Sequence, residues 1–149
     1  VIYGNGGVSG VAARILMHMG VRVAMAGRHQ KRVNKKMSDL GLTKFSGPYD
    51  LAVNATPASS APLEKNTLLL NILKSCKIVF DHNMPEKDGQ ENFLKKYCHK
   101  HKIYFIPGVE MYIPQMIKQW SLFLNGASAL NGEKIIAGEE EIRKNWKIK

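Results

Sequence analysis

The chain has 149 residues, of which 44% are hydrophobic and 23% are charged, so its length and composition are those of one globular domain. No apolar run approaches the roughly 18 residues that span a membrane. The two cysteines, Cys76 and Cys98, are too few for a disulfide scaffold, which favours a cytoplasmic location. The formal net charge of +10 permits nucleic-acid binding, but the basic residues are spread over several segments without interleaved aromatic residues. We therefore expect neither a nucleic-acid nor a membrane partner.

Short apolar runs alternate with amphipathic stretches along the chain, which is the pattern of repeated βα units and a parallel sheet. Strands are predicted at residues 1–3, 21–26, 51–54, 78–81 and 103–106, with a short sixth strand around Lys44 and Phe45. Between them, apolar residues recur at helical spacing and predict helices with one buried face. These residues are Ala12, Ile15, Leu16 and Met19, then Phe93, Leu94, Tyr97 and Cys98, and finally Ile113, Met116, Ile117, Trp120 and Leu124.

The segment GNGGVSG follows the first predicted strand and precedes the first predicted helix. In that context Gly4 permits a tight turn, Gly6 lets the backbone approach a pyrophosphate, and the helix start supplies free N–H groups. Ser9 stands where the third glycine of G-x-G-x-x-G would be, and a turn that merely connects strand and helix is the alternative. The candidate contacts of this segment are Gly4, Asn5, Gly6, Gly7, Val8 and Ser9. The sequence therefore predicts an α/β fold, a Rossmann-like doubly wound parallel sheet of about six strands with helices on both faces.

The end of the second predicted strand reads AGRHQKR, at the point where dinucleotide-binding folds meet the adenosine ribose. An NAD site has a carboxylate here for the 2′-hydroxyl, and this chain has none. Arg28, with Lys31 or Arg32 one helical turn further, offers charge-assisted hydrogen bonds to a 2′-phosphate instead. The pattern favours NADP over NAD, and a solvated basic first turn of a helix is the alternative.

Four segments in order, GNGGVSG, GRHQKR, NATP and GVEMYIPQ, resemble the C-terminal nucleotide-binding domain of shikimate 5-dehydrogenases. The family's N-R-T-x-x-R/K signature for the 2′-phosphate is met by Arg28 and Arg32, whereas Gly27 and His29 replace its Asn and Thr. The resemblance implies that NADP is the cofactor. Beyond the glycine segment it implies cofactor contacts by Arg28, His29, Lys31, Arg32, Asn54, Ala55, Thr56, Pro57, His82, Gly108 and Met111.

The resemblance also implies that Gly108 and Met111 lie by the nicotinamide and that Gln115 binds a substrate hydroxyl. Met111 and Gln115 are four residues apart and share a helix face, which agrees with this role. A Gln115 that only caps or solvates its helix is the alternative. Pro114 fits there if the helix has just begun.

One segment departs from the family pattern. The family has D-x-x-Y-x-P after the strand before the last, whereas this chain has DHNMPEKDG, in which Asp81 and Pro85 remain but the Tyr that touches substrate is lost. By this alignment His82 would lie beside the nicotinamide, with Asn83 or Met84 approaching the substrate. The departure indicates a divergent member of the family.

The chain begins without Met, directly in an apolar strand, so we expect residues 1–149 to be one NADP-binding domain whose N-terminal substrate domain lies outside this chain. In the family that domain supplies the Lys and Asp for proton transfer, so we expect no catalytic residue in this chain and no activity from it alone. The implied reaction is reversible NADPH-dependent reduction of 3-dehydroshikimate to shikimate, in aromatic amino acid biosynthesis. The implied partners are a shikimate-like polyol acid and the missing domain, and a homodimer is compatible with this interpretation.

Other functions remain open from the sequence. A quinate dehydrogenase would use the same domain, whereas a methylene-tetrahydrofolate dehydrogenase or a glutamyl-tRNA reductase-like domain agrees less well with NATP and GVEMYIPQ. A domain that senses NADP without catalysis is the alternative of another class. The segment CHKH, with Cys98, His99 and His101, lacks a second ligand pair at zinc-like spacing, so we expect no metal site.

Overall fold

The computed structural model describes residues 1–57, 63–84 and 92–123 of a chain that consists of two compact units, residues 1–108 and 109–149. The Pro85 landmark and the predicted apolar position Leu124 lie outside the described residues. In the first unit five parallel strands form one sheet, in the spatial order β2-β1-β3-β4-β5. The strands are β1 (Ile2–Tyr3), β2 (Met25–Ala26), β3 (Leu51–Asn54), β4 (Ile78–Asp81) and β5 (Tyr104–Pro107).

Four described helices connect these strands, and each begins or ends at a residue suited to that place. They are α1 (Gly7–His18), α2 (Gln30–Asp39), α3 (Thr67–Leu73) and α4 (Phe93–His101). Asn66 and Asn92 cap α3 and α4, because each side-chain oxygen accepts a hydrogen bond from a first-turn amide. Gly20 and Gly41 follow α1 and α2 with φ of 74° and 66°, a backbone conformation in which glycine ends helices without strain. In the second unit, α5 (Val109–Phe123) has Pro114 as its sixth residue, past the first turn that suits proline.

Helices cover both faces of the sheet because successive side chains of each strand point to opposite sides. Tyr3 and Ala52 pack in one buried cluster with residues of α3 and α4, such as Leu73. Their neighbours Ile2 and Val53 pack in a second cluster with Ala13 of α1. Residues Leu40 and Leu42 contact both this cluster and the buried Val33 and Met37 of α2. The predicted α/β fold with helices on both faces is confirmed.

The described residues form five strands, compared with the predicted count of about six. The segment around Lys44 and Phe45, the expected sixth strand, forms no ladder. The Phe45 carbonyl instead accepts a hydrogen bond from the Tyr49 hydroxyl at 3.1 Å, and the Phe45 ring lies 3.7 Å from the guanidinium of Arg22, which precedes β2. Phe45 therefore contacts its own loop and Arg22 rather than pairing with a strand.

The predicted buried face of α1 is also partly wrong. Ile15 and Met19 are 55% and 69% exposed, whereas Ser9 and Ala13 are completely buried. Small side chains at these two positions let the start of α1 lie close to the sheet, directly after the short turn that leaves β1. The apolar spacing identified the helix correctly, and Ala12 and Leu16 do pack against the core, but Ile15 and Met19 lie outside the buried face.

A buried carboxylate joins the ends of β3, β4 and α4. Asp81 is 1% exposed, and its Oδ1 accepts hydrogen bonds from Asn54 Nδ2 at 2.9 Å and from the backbone and side-chain nitrogens of Asn83 at 3.1 Å. Its Oδ2 accepts a fourth hydrogen bond, from Asn92 Nδ2 at 2.9 Å. Burial raises the pKa of Asp81 above its ordinary value, and the four donors oppose that change because they stabilise the charged form.

We expect Asp81→Asn to lower the free energy of unfolding at pH 7 by about 1–3 kcal/mol, measured by urea denaturation. The amide of Asn92 has a fixed orientation because its oxygen caps α4 by accepting from the Lys95 amide at 2.8 Å. An amide at position 81 therefore sets one NH2 group against another donor, whichever way it is turned. Asp39→Asn, at an exposed position, is the matched control and should change stability by less than about 0.5 kcal/mol.

The pH dependence of the free energy of unfolding, compared between the wild-type chain and Asp81→Asn, tests the pKa of Asp81. A carboxyl whose pKa is raised on folding stabilises the protein most at low pH, and this contribution is lost as the pH rises through the folded-state pKa. The stability advantage of the wild-type chain over Asp81→Asn should therefore narrow as the pH rises from the ordinary carboxyl pKa of 3.8 towards neutrality. An advantage that widens over this range would contradict a raised pKa.

Candidate functional site

A cleft opens at the carboxyl ends of β1, β2 and β3, where the sheet reverses its strand order. The connection after β1 leads to one neighbour, β2, and the next connection returns past β1 to β3 on its other side. Clefts at such switch points are where open α/β sheets bind their ligands. The volume of this cleft is about 140 Å³. Its lining consists of Tyr3, Gly4, Asn5, Gly6, Gly27, Arg28, His29, Ala55, Thr56 and Pro57.

The backbone at Gly4 accepts no other residue. Its φ is +137°, and a Cβ there would lie 2.7 Å from the carbonyl oxygen of Ala55. Main-chain hydrogen bonds hold this approach in place, since the Gly4 amide donates to the Ala26 carbonyl at 2.8 Å and the Ala55 amide donates to the Tyr3 carbonyl at 2.9 Å. The turn after β1 is therefore fastened to the ends of both neighbouring strands.

Gly4 is crowded, whereas Gly6 and Gly7 border open space, because a Cβ at either position would meet no atom within 4 Å. Gly6 is the N-cap of α1 and Gly7 is its first residue. The first amides of a helix have no partner within the helix, and with the positive end of the helix dipole they attract anions. The open space beside these amides fits a phosphate group that approaches the backbone closely.

The hydroxyl of Ser9 faces the turn and not the cleft. Ser9 is completely buried, and its Oγ donates to the Gly6 carbonyl at 2.7 Å. The same carbonyl accepts from Lys36 Nζ at 2.8 Å, a contact across 30 positions that the sequence did not indicate. Val8, the second residue of α1, is 39% exposed and does not line the cleft.

The basic residues after β2 divide between the cleft and its surroundings. Arg28 and His29 line the cleft, whereas Lys31 and Arg32 are exposed in the first turn of α2 and are not part of its lining. Within the described residues no acidic side chain forms an ion pair with Arg28. The positive charge of Arg28 at the cleft is thus available to an anion.

The segment Asn54, Ala55, Thr56 and Pro57 forms the wall opposite Arg28. Ala55, Thr56 and Pro57 line the cleft. Asn54 is 2% exposed and does not line it, but its side chain bonds to Thr56. The Asn54 Oδ1 accepts hydrogen bonds from the Thr56 amide at 3.3 Å and the Thr56 hydroxyl at 2.8 Å, and its Nδ2 donates to Asp81. The Asp81 carboxylate therefore fixes the Asn54 amide, which in turn orients Thr56 in the wall.

His82 and Gly108 lie together at the ends of β4 and β5, outside the lining of the cleft. The half-buried His82 donates its backbone N–H to the Asn54 carbonyl at 3.0 Å. A Cβ at Gly108 would lie 2.6–2.8 Å from the carbonyl oxygens of Asp81, His82 and Asn83, so only glycine fits there. Met111 and Gln115, one turn apart on α5, belong to the second unit, in which Met111 is half-buried and Gln115 is exposed.

The sequence missed Tyr3 and Gly27, which line the cleft, and Lys36, which donates to the carbonyl of Gly6 in its lining. Tyr3 is 1% exposed, and its hydroxyl accepts a hydrogen bond from Asn66, the cap of α3. A Cβ at Gly27 would lie 3.2 Å from the Val33 side chain, a tight contact at the position where the resembling family has Asn. For Tyr3 and Gly27 the signal was their position directly beside Gly4 and Arg28.

The CHKH segment has no arrangement typical of a metal site. It ends α4, where Cys98 is buried, His99 and His101 are exposed, and burial raises the pKa of the Cys98 thiol to about 12. The His101 ring stacks on Tyr97 at 4.3 Å. Residues 1–57, 63–84 and 92–123 contain no group of three His, Cys, Asp or Glu side chains that could hold a metal ion, and no helix there is long and apolar enough to cross a membrane.

Solved structures share this fold. The chain aligns with Thermus thermophilus shikimate 5-dehydrogenase in complex with NADP(H) and shikimate at a TM-score of 0.71 and 16% identity, covering 94% of this chain and 53% of that one. The same enzyme in complex with shikimate aligns at 0.70 and 18% identity, covering 99% and 54%. Mycobacterium tuberculosis shikimate dehydrogenase aligns at 0.66 and 16% identity, covering 95% and 55%.

No protein-family model matches the sequence, and no curated protein matches it significantly. The chain spans about half the length of the solved chains it matches. At this level of identity the likeness establishes the fold. The chain thus has the parallel α/β fold found in about half of each of these shikimate dehydrogenase chains, with the cleft at its switch point.

Proposed function

We propose that this chain is the NADP-binding half of a shikimate dehydrogenase-like oxidoreductase. The observation that carries the proposal is the cleft at the switch point, in which the open Gly6 amide region lies on one surface with Arg28, whose charge pairs with no acidic side chain of the described residues. Support from the fold is independent of these residues, because the matched Thermus thermophilus enzyme was solved in complex with NADP(H) and shikimate.

The cleft has the chemistry that an adenine dinucleotide phosphate requires. The turn from Gly4 to Gly7 would take the pyrophosphate on backbone N–H groups at the start of α1. Arg28 would bind the 2′-phosphate, and its planar guanidinium can stack on the adenine. Thr56 and Pro57 would form the facing wall, held by the buried Asn54.

Bound NADP(H) would supply hydride transfer to or from a ring carbon of the substrate, as in reduction of 3-dehydroshikimate to shikimate. The residues of this chain would bind and orient, and a second domain of about the same size would supply the acid that protonates the substrate oxygen. Gln115 is proposed to bind a substrate hydroxyl, and His82, Gly108 and Met111 are proposed to lie near the nicotinamide.

A domain that senses NADP without catalysis is the second candidate, and one observation favours it. The Asn83 side chain occupies the region where the resembling family has its D-x-x-Y segment, and it donates to Asp81 at 3.1 Å. That bond directs its amide into the protein rather than towards a substrate. Reconstitution with the preceding half of the protein separates the candidates, because only the oxidoreductase would then turn over a polyol acid.

We expect the chain to bind NADP more tightly than NAD by about 10- to 100-fold, because a charged hydrogen-bonding group meets the 2′-phosphate. Arg28→Ala should remove most of this preference while leaving NAD binding nearly unchanged, as measured by isothermal titration calorimetry. Lys100→Ala removes the same charge from an exposed position of α4, which packs against β4 and β5 away from the cleft, and should leave both affinities unchanged. Equal wild-type affinities for NADP and NAD would contradict the proposal.

We also expect the purified 149-residue chain to show no oxidation of shikimate at any NADP concentration, followed by absorbance of NADPH at 340 nm. The physical reason is that, in the proposed two-domain enzyme, the proton-transfer groups lie on the other domain. Turnover that Arg28→Ala weakens would show that this chain carries its own catalytic groups, and would contradict the two-domain arrangement.

A further inference from the structure

Lys36 connects helix α2, which follows Arg28, to the glycine turn that precedes α1. It lies on α2, two helical turns beyond Arg28, and its Nζ donates to the carbonyl of Gly6 at 2.8 Å. Gly6 is the N-cap of α1, so this hydrogen bond fastens the second turn of α2 to the first turn of α1. Hydrogen bonds with a charged donor are about twice as strong as neutral ones.

The ammonium of Lys36 lies beside the first turn of α1. A Cβ on Gly10 would lie 3.4 Å from Lys36 Nζ, at the limit of ordinary van der Waals contact. The buried Ser9 hydroxyl donates to the same Gly6 carbonyl at 2.7 Å. Two side-chain donors, one from each helix, therefore bind one carbonyl oxygen.

The orientation of this carbonyl determines the direction of the next amide. In a trans peptide the C=O and the N–H point in opposite directions, so a fixed Gly6 carbonyl fixes the Gly7 N–H on the other side of the peptide plane. Both residues that flank this peptide are glycines, which rotate with little steric resistance. The Gly6 carbonyl is also the N-cap carbonyl that accepts the first backbone hydrogen bond of α1, and the Ser9 and Lys36 side chains add to that restraint.

The charge of Lys36 has a second effect. An ammonium beside the first turn of a helix is unfavourable in the field of the helix dipole, and neither α1 nor α2 has an acidic residue in its first turn. A bound anion adds favourable interactions with both the ammonium and the start of the helix, and these offset the repulsion. The Lys36 ammonium thus favours anion binding at the start of α1 as well as holding the turn.

We propose that Lys36 is a positioning residue for the pyrophosphate of the dinucleotide, acting through the Gly6–Gly7 peptide. This proposal rests on the proposed function, and it assigns Lys36 and Arg28 to different parts of the ligand. Arg28 distinguishes NADP from NAD through the 2′-phosphate. Lys36 acts on the pyrophosphate, which both dinucleotides contain.

The test is Lys36→Met, which keeps the length of the side chain and removes its charge and donors. We expect the dissociation constants of NADP and NAD to rise by the same factor, about tenfold, so that their ratio is unchanged. Adenosine 2′-phosphate, which has the 2′-phosphate but no pyrophosphate, should bind as it does to the wild-type chain, as followed by NMR titration. Lys35→Met, at the exposed neighbouring position, is the matched control and should alter none of the three affinities.

Lys36→Arg keeps the charge and a donor, and we expect it to recover dinucleotide binding to within about threefold of the wild-type chain. Unchanged NADP and NAD affinities in Lys36→Met would overturn the assignment of Lys36. So would an equal loss for adenosine 2′-phosphate, because that result indicates a general structural defect. If wild-type NADP binding depends on Arg28 but not on Lys36, only this inference fails, whereas a wild-type chain that binds neither dinucleotide overturns the proposed function with it.

Discussion

The approach of Gly4 to Ala55 is the constraint on which the cleft depends. At this point the ends of β1 and β3 lie so close that a Cβ would come within 2.7 Å of a carbonyl oxygen. The parallel pairing of the two strands continues past their ends, because the Ala55 amide donates to the Tyr3 carbonyl. The turn must therefore leave the sheet sharply, and α1 begins only three residues later at Gly7. This geometry directs the free amides of α1 over the switch point.

Buried polar groups extend this constraint across the sheet. The Asp81 carboxylate binds the amides of Asn54 and Asn92, and Asn54 in turn accepts two hydrogen bonds from Thr56. A carboxylate at 1% exposure is tolerated because four donors satisfy it. The wall of the cleft is consequently tied to α4, an element that lies two strands away from the glycine turn. Gly108, directly after β5, lies against the carbonyl oxygens of Asp81, His82 and Asn83 at the end of β4.

The sequence predicted those features that depend on neighbouring residues. The bounds of β3 and β4 agree with prediction because short apolar runs define buried parallel strands. The glycine turn, Arg28 and the Thr56 wall also follow from local motifs. The role of Lys36 does not, because it joins residues 30 positions apart and depends on how two helices pack. The buried face of α1 was misjudged for the same reason, since proximity to the sheet favoured small residues over Ile15.

The charges around the cleft do not follow the usual preference for acidic residues at the start of a helix. Helices usually begin with acidic residues, yet α1 and α2 have none in their first turns, and Arg28 precedes α2. Each cation near a helix start costs about 0.3–1 kcal/mol in the dipole field. Violations of local preference concentrate at functional sites. A phosphate would add a favourable interaction with each of these cations and with the helix starts, which is the compensation that the proposed function supplies.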